Sequence, residues 1–370
     1  MKVFVTGTRG IPNIMGGVET HCEELFPRIA AMGVDVTVAR RKNYVTEREP
    51  LTEWNGVHLV DVDTPKKKSF EAIIHTFRAI NEAKRCGADI VHIHAIGPAL
   101  LVPYAKMRGL KVVFTHHGPD YDRDKWGIVA KAMLKLGERM GCMFADDVIV
   151  ISRVIERLIA DKYGRTRGVH VISNGVPAPE KCSAPDYFRS LGIEENRYIL
   201  GMCRFVPEKR LHDLVEAFAM LKERGVIDGN TRLVLAGDTD FEDDYSRRLK
   251  RMALDNGVVL TGFVKGVRLH SLLTNAMCYV LPSSHEGLPI ALLEAMSYGL
   301  PVVVSDIPAN MEVGLPEQCY FRLGDVRMLA DRLRDVMLSP VLRVDYDMGL
   351  YDWNNIAGSV MSVYDKTVGR

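Results

Sequence analysis

Short apolar runs rich in β-branched residues alternate along this chain with longer stretches in which apolar positions recur every three or four residues. The runs KVFVTG, VDVTVA, VHLVDV, DIVHIHA, KVVFTHHG, DDVIVIS and VHVISNG lie between residues 2 and 175. After GVPAPEKCSAP, Gly175 to Pro185, a second series begins: YILGMCRF, TRLVLAGD, VVLTGFV, MCYVLPSS and PVVVSD. Runs that are apolar without strict alternation suit strands covered on both faces, and the helical stretches between them supply the crossovers of a parallel sheet. The pattern predicts an α/β chain of two doubly wound parallel-sheet domains, joined where proline and small residues cluster.

Composition narrows the function classes. A length of 370 residues exceeds what one core usually spans, and 47% hydrophobic with 26% charged residues is ordinary for a globular chain. The formal net charge of +1 makes no case for a nucleic-acid partner. Seven cysteines stand far apart with no C-x-x-C pair, which fits a reducing cytoplasm better than a disulfide framework or a zinc site. No apolar stretch approaches a membrane span, so contact with a membrane would be peripheral.

Doubly wound sheets bind ligands beyond the carboxyl ends of their strands, so the loops there are the places to seek chemistry. Behind the first strand, GTRGIPNIMGGVET puts Gly16 and Gly17 at the start of a helix running through His21, Leu25 and Ile29. Glycines at a helix N-terminus let backbone N–H groups approach an anion, although a ligand-free turn explains a lone Gly-Gly equally well. Gly7 and Gly10 offer a dinucleotide-like spacing, but Asn13 stands where a third glycine would serve. Arg204, at the end of YILGMCRF, and Lys209, just beyond it, suit a diphosphate, with a solvated turn pairing Lys209 to Glu208 as the plainer reading. His92 and His94 alternate on one strand face and read as structural, while His117, just past a strand, is the better site residue.

In SSHEGLPIALLEA, Glu286 falls in a loop and Glu294 about one and a half turns into an apolar helix. Apolar neighbours nearly all round predict a buried helix, in which a carboxylate requires hydrogen-bond donors. Two aspartate pairs, Asp61 with Asp63 and Asp238 with Asp240, have metal-like spacing and read as turn residues.

Together these segments resemble the retaining glycosyltransferases of family four, which have the GT-B fold of two Rossmann-like domains with an inter-domain cleft. Glu286 to Glu294 looks like that family's E-x7-E signature. The Gly16-Gly17 helix start, Ser173-Asn174-Gly175-Val176, R-F-V-P-E-K at 204–209 and Thr261-Gly262-Phe263-Val264 match in order. The resemblance implies an N-terminal acceptor-side domain, 1–175, completed by a returning helix at 351–370 that opens with Tyr351-Asp352-Trp353. It implies a nucleotide-sugar domain over 176–350.

The resemblance also assigns roles. Glu294 would hold the ribose diol; Arg204, Lys209 and the helix start at Pro289, Ile290 and Ala291 would meet the diphosphate. Glu286, with Gly287 and Leu288 in the same loop, would touch the donor sugar. Phe263 and Val264 would lie against the base, His117 beside the reacting sugar, and Gly16 and Gly17 would close the phosphate pocket as the domains shut. Retention of anomeric configuration is implied, with no metal or other cofactor. The opening KVFVTGTRGIPNIMGGVET is similar to a rhamnosyltransferase-like subset, which implies dTDP-L-rhamnose as donor and a polysaccharide-precursor or lipid-linked acceptor. Lys66-Lys67-Lys68 and the segment from Trp126 through GIVAKAMLKLGERM are candidate contacts with the inner face of a membrane. A nucleotide-sugar epimerase of the same fold, and an NAD(P)-binding oxidoreductase resting on Gly7 and Gly10, remain as alternatives.

Overall fold

The computed structural model describes residues 1–14, 16–45, 51–65, 71–122, 127–239, 242–339 and 341–369. Lys66, Lys67, Lys68, Trp126 and Asp240 lie outside the described residues. The chain divides into two compact units, Met1–Gly175 with Leu350–Arg370, and Val176–Gly349.

The first unit is built on β1 (Lys2–Thr6), β2 (Asp35–Arg41), β3 (Glu53–Trp54), β4 (Val57–Val62), β5 (Ile90–His94), β6 (Lys111–His116), β7 (Asp147–Val150) and β8 (Val169–Val171). They form one sheet in the order β3-β4-β2-β1-β5-β6-β7-β8, parallel except for the short β3 at its edge. Strand order reverses between β1 and β5, so the loops leaving these two strands diverge and open a crevice at the carboxyl edge.

The second unit carries β9 (Tyr198–Met202), β10 (Arg232–Ala236), β11 (Val259–Gly262), β12 (Cys278–Leu281), β13 (Val302–Ser305) and β14 (Tyr320–Phe321). Its sheet runs β11-β10-β9-β12-β13-β14, all parallel, and reverses between β9 and β12. Every apolar run named from sequence is a strand. β3 and β14 are additional, and with two residues each they carry no periodicity to read.

The proline-rich segment after Gly175 is less of a free linker than its composition predicts. The Cys182 N–H donates to Thr274 Oγ1 at 3.1 Å and the Glu180 N–H to the Tyr298 hydroxyl at 3.0 Å, so its backbone is tied to the second unit. In the first unit the helix Trp353–Val368 starts at Asp352, whose carboxylate accepts from the N–H groups of Asn354 and Asn355. It buries Trp353, Ile356, Val360, Val363 and Tyr364 with Val3, Val5, Leu25 and Phe26 in one core. Gly175 belongs to the same packing: a Cβ there would lie 2.5 Å from Trp353. Among the described residues no helix is long and apolar enough to cross a membrane.

The glycines of the first loop answer to packing. Gly7 has φ 96°, and a Cβ on it would sit 2.1 Å from the His94 carbonyl oxygen of the neighbouring strand. Gly10, at φ 130°, would press a Cβ to 2.8 Å from the Arg40 side chain. Their spacing therefore follows from how the loop crosses β5 and β2, and no dinucleotide is needed to explain it. Gly7→Ala is expected to destabilise the fold by about 2 kcal/mol or more, from strained φ and overpacking together. Urea unfolding checks this, and a loss below about 0.5 kcal/mol would refute the packing account.

Candidate functional site

In the second unit the loops after β9 and β12 leave adjacent strands at the point where the sheet order reverses, and they are tied to one another. The Ser284 N–H donates to the Glu208 carbonyl at 2.8 Å, and its hydroxyl reaches the same oxygen at 3.2 Å. Pro207–Lys209 forms a turn of 3₁₀ helix, and Arg210 follows in the left-handed region at φ 49°. Its guanidinium holds Asp213 at 2.7 and 3.0 Å at the start of the helix Leu211–Glu223. This geometry aims Lys209 across to the other loop. Its ammonium donates to Glu286 Oε1 at 2.5 Å, with the two side chains only 17% and 8% exposed.

Lys209 thus pairs with Glu286, 77 residues away, and the plainer reading, a turn closed on Glu208, does not describe it. Two charges taken mostly out of water hold each other, since removing either strands the other. An arriving diphosphate can exchange for the carboxylate at Lys209, and sugar hydroxyls can exchange for the ammonium at Glu286. Arg204 lies half-buried in the same loop, two residues beyond β9. Burial pushes the neighbouring Cys203 thiol up to about 12, although Lys209 pulls the other way, so this cysteine is not a nucleophile.

The helix Ile290–Ser297 begins after Pro289 with no side chain capping its N-terminus. Leu292, Leu293, Ala295 and Met296 are buried, whereas Ile290, Ala291, Glu294 and Ser297 are only partly covered and share one face at helical spacing. Glu294 is therefore not the fully buried carboxylate that its apolar neighbours predict. It lines a small recess with Val176, Pro177, His270, Leu273 and Tyr298. Of the two residues following β11, Val264 is buried and Phe263 is 49% exposed. The Phe263 ring is free to take a planar partner on its open face, with the Lys265 ammonium 5.9 Å from its centroid.

In the first unit, His117 follows β6 directly. The preceding residue, His116, is fully buried; its Nδ1 accepts from the Gly118 N–H at 3.0 Å, so its Nε2–H donates to Glu138 Oε1 at 2.9 Å. Glu138, buried in the helix Ile128–Phe144, also accepts from the Tyr163 hydroxyl at 2.6 Å and from Tyr121 at 3.1 Å, with Lys162 at 3.5 Å. This network fixes the turn that presents His117. Burial alone would raise the Glu138 pKa; hydrogen bonds from His116 and Tyr163 and the charge of Lys162 outweigh it and hold the carboxyl below its ordinary range.

His117 meets two other imidazoles. His94, at the end of β5, brings Nδ1 to 3.0 Å from His117 Nε2. His21, one turn into the helix Gly17–Ala31, packs its ring edge-on against His117 at 5.0 Å and holds Asn174 Oδ1 at 3.0 Å through its own Nδ1. Burial depresses all three: His21 to about 4, partly restored by Asn174, and His94 and His117 well below their ordinary value. They are neutral at physiological pH. His92 is structural, bonded to the Tyr364 hydroxyl and to Thr115 Oγ1 at 2.6 Å each.

Sequence reading missed His21 as a neighbour of His117, and Asn174 as the partner of His21. The available signal was a histidine at the head of the apolar stripe His21, Leu25, Ile29. Gly16 caps the same helix with φ 149°, and a Cβ there would lie 2.0 Å from Glu19 Oε2. Glu19 itself accepts from the Arg9 N–H at 3.0 Å, so Gly16 has a local reason to be glycine. Gly17 has open space where a Cβ would stand. Of the aspartates with metal-like spacing, Asp61 lies within β4 rather than in a turn and holds Arg40 at 2.7 Å. Asp63 holds Lys42 at 3.0 Å and Asp238 holds Lys250 at 2.8 Å, so each described member is already neutralised by a cation.

Two families match the chain in series: Glycosyltransferase Family 4 over residues 15–178 and Glycosyl transferases group 1 over residues 183–349. An uncharacterized glycosyltransferase of Methanocaldococcus jannaschii is 26% identical, with 98% of each chain covered. An Escherichia coli UDP-Gal:alpha-D-GlcNAc-diphosphoundecaprenol alpha-1,3-galactosyltransferase is 28% identical over 66% of this chain and 63% of its own length. Anabaena HepE, solved with UDP and glucose, shares the fold at a TM-score of 0.79 and 18% identity, covering 99% of this chain and 100% of its own.

The Glu138 network generates a pH prediction. A carboxyl whose folded pKa is depressed contributes stability that is fully present above its unfolded value, near ~4.3, and is lost as pH falls through the folded value. Glu138→Gln is expected to cost about 3 kcal/mol at neutral pH, with the gap to wild type closing on acidification through that window. Urea unfolding at a series of pH values reads this, and a gap independent of pH would contradict it.

Proposed function

We propose that this chain, a glycosyltransferase of the family-four type with the two Rossmann-like domains of the GT-B fold, moves a sugar from a nucleoside-diphosphate donor onto a carbohydrate or lipid-linked carbohydrate acceptor. The observation that carries the donor reading is the Lys209–Glu286 contact. It sets a phosphate-compatible cation and a hydroxyl-compatible carboxylate side by side at the reversal point of a parallel sheet, beside an uncapped helix N-terminus. Lys209, Arg204 and the N–H groups of Ile290 and Ala291 take the diphosphate, and stabilise the charge that develops on it as the sugar departs. Glu294 takes the ribose hydroxyls from its exposed helix face, with Gly287, Leu288 and Pro289 shaping the loop. Phe263 and Val264 take the base.

In the first unit, His117 is the residue suited to hydrogen-bond a sugar, and the backbone at Gly16 and Gly17 is the part suited to approach a phosphate closely. These cationic and dipolar groups need no metal. Glu286 orients sugar hydroxyls without attacking the anomeric carbon, so configuration is retained with no covalent adduct. The opening twenty residues favour dTDP-L-rhamnose as donor. The diphosphoundecaprenol in the name of the Escherichia coli relative favours a lipid-linked acceptor.

A membrane-borne acceptor gives meaning to the helix Ile128–Phe144. Ile128 and Val129 are 89% and 75% exposed, Leu136 and Met143 about half, and Lys135 and Arg139 stand among them. Its one acidic residue, Glu138, is buried. An apolar face with interleaved cations suits an anionic lipid surface on the cytoplasmic side. Leu136→Asp is expected to reduce sedimentation with anionic vesicles severalfold at unchanged melting temperature; unaltered sedimentation would remove the helix from that role.

The donor assignment is tested by titration. Lys209→Ala is expected to weaken a nucleoside diphosphate by about tenfold or more while changing affinity for the nucleoside little. Equal losses would take Lys209 out of the phosphate site. Retention is read from the anomeric configuration of the product by NMR, using Glu286→Ala beside wild type. The variant is expected to be slow and to give the same anomer, and an inverted product or a stable sugar adduct on Glu286 would defeat the mechanism.

A further inference from the structure

The row of buried imidazoles in the first unit settles which hydrogen His117 carries. The contact between His94 Nδ1 and His117 Nε2 is 3.0 Å, with ring centroids 5.3 Å apart and planes 23° from parallel. Face-to-face rings could not bring two nitrogens to that distance with centroids so far apart. The rings therefore meet edge to edge, nearly in one plane, with one N–H pointing at the other nitrogen's lone pair. His21, His94 and His117 have nitrogens within 4.8 Å of one another, a set able to hold a metal ion. A tetrahedral cation at ~2.0 Å from each would set the two nitrogens ~3.3 Å apart with both lone pairs turned towards it, whereas here the nitrogens point at one another. The alignment suits a shared proton.

Both imidazoles are neutral, so each carries one proton, and the pair has two arrangements. If His117 Nε2–H donates, His94 must keep its proton on Nε2. That nitrogen is fully buried and has no hydrogen-bond partner among the described residues. The His94 ring packs against the His92 ring, with centroids 4.2 Å apart, and against Phe26 and His21. A buried N–H with nothing to accept it is among the least tolerated groups in a folded protein. If His94 Nδ1–H donates instead, only a lone pair is left in the pocket, and His117 must carry its proton on Nδ1.

We propose that His94 is a positioning residue: its Nδ1–H donates to His117 Nε2 and fixes His117 as the Nδ1–H tautomer, so that His117 meets the transferred sugar as a hydrogen-bond donor and not as a base. The proposal rests on the reading of His117 as the sugar-facing residue. His21 supports the arrangement from the side: its Nδ1 is engaged by Asn174 and its ring edge packs against His117. The acceptor hydroxyl's proton then leaves by another route, since the one lone pair His117 has is already occupied by His94.

The test uses the full-length protein labelled with ¹⁵N-histidine and needs no substrate, so its failure is distinguishable from failure of the transferase reading. His117 resonances are identified by their loss in His117→Gln. The expected spectrum has His117 protonated on Nδ1 in wild type and in His94→Asn, whose amide N–H₂ replaces the donor. In His94→Leu, Nε2-protonated His117 is expected to appear. With sugar donor present, His94→Leu should lower kcat about tenfold with little change in KM, and His94→Asn should restore most of it. His117 protonated on Nε2 in wild type would overturn the proposal. So would a tautomer indifferent to His94→Leu, or stoichiometric Zn²⁺ uptake that shifts the resonances of all three histidines and is lost in His94→Asn. Should His94→Leu fail to fold, the wild-type and His94→Asn spectra still decide.

Discussion

In a parallel sheet every strand ends on the same edge, and the next can begin only after a helix has carried the chain back. Residues far apart in sequence are thereby delivered side by side wherever strand order reverses. Here β9 and β12 are neighbours although about 80 residues separate their starts. The bond between Lys209 and Glu286 exists because of that adjacency, and so do the backbone ties between Ser284 and Glu208 that keep it in register. The half-buried pair is held too well to be a passing surface contact, yet both partners have chemistry that a diphosphate and a sugar could satisfy.

The first unit uses the same rule differently. Its reversal lies between β1 and β5, and what gathers there is imidazole. Burial makes these groups neutral, and neutrality makes the placement of each proton a question of which nitrogen has a partner. A carboxylate beneath them, Glu138, anchors the turn through His116, so the main chain at His117 is set by one network and its ring by another. The separation matters physically: the charge stays in the anchor, away from the His117 ring.

Much of this architecture was legible in the sequence. Twelve apolar runs become twelve strands because burial on both faces demands continuous hydrophobicity, and only the two-residue strands β3 and β14 escape notice. Local reading failed where a side chain's partner is distant. The apolar surroundings of Glu294 in sequence implied burial, whereas its helix turns Glu294 and Ser297 towards a small recess. His94 read as a structural residue of its strand, and nothing nearby in sequence announces that His117 and His21 converge on it. Gly7 and Gly10 hinted at a cofactor, and their cause proved to be the backbone of His94 and the side chain of Arg40. Periodicity reports which face is covered; it carries no information about which loops a sheet will bring together.

The central claim is that the loops after β9 and β12 receive the nucleotide diphosphate. Amide hydrogen exchange with and without a nucleoside diphosphate tests it most directly. The account predicts slowed exchange over 204–210 and 286–294, with the loop 7–13 unchanged. Protection confined to 7–13, or absent from 204–210 while the nucleotide is bound, would contradict it.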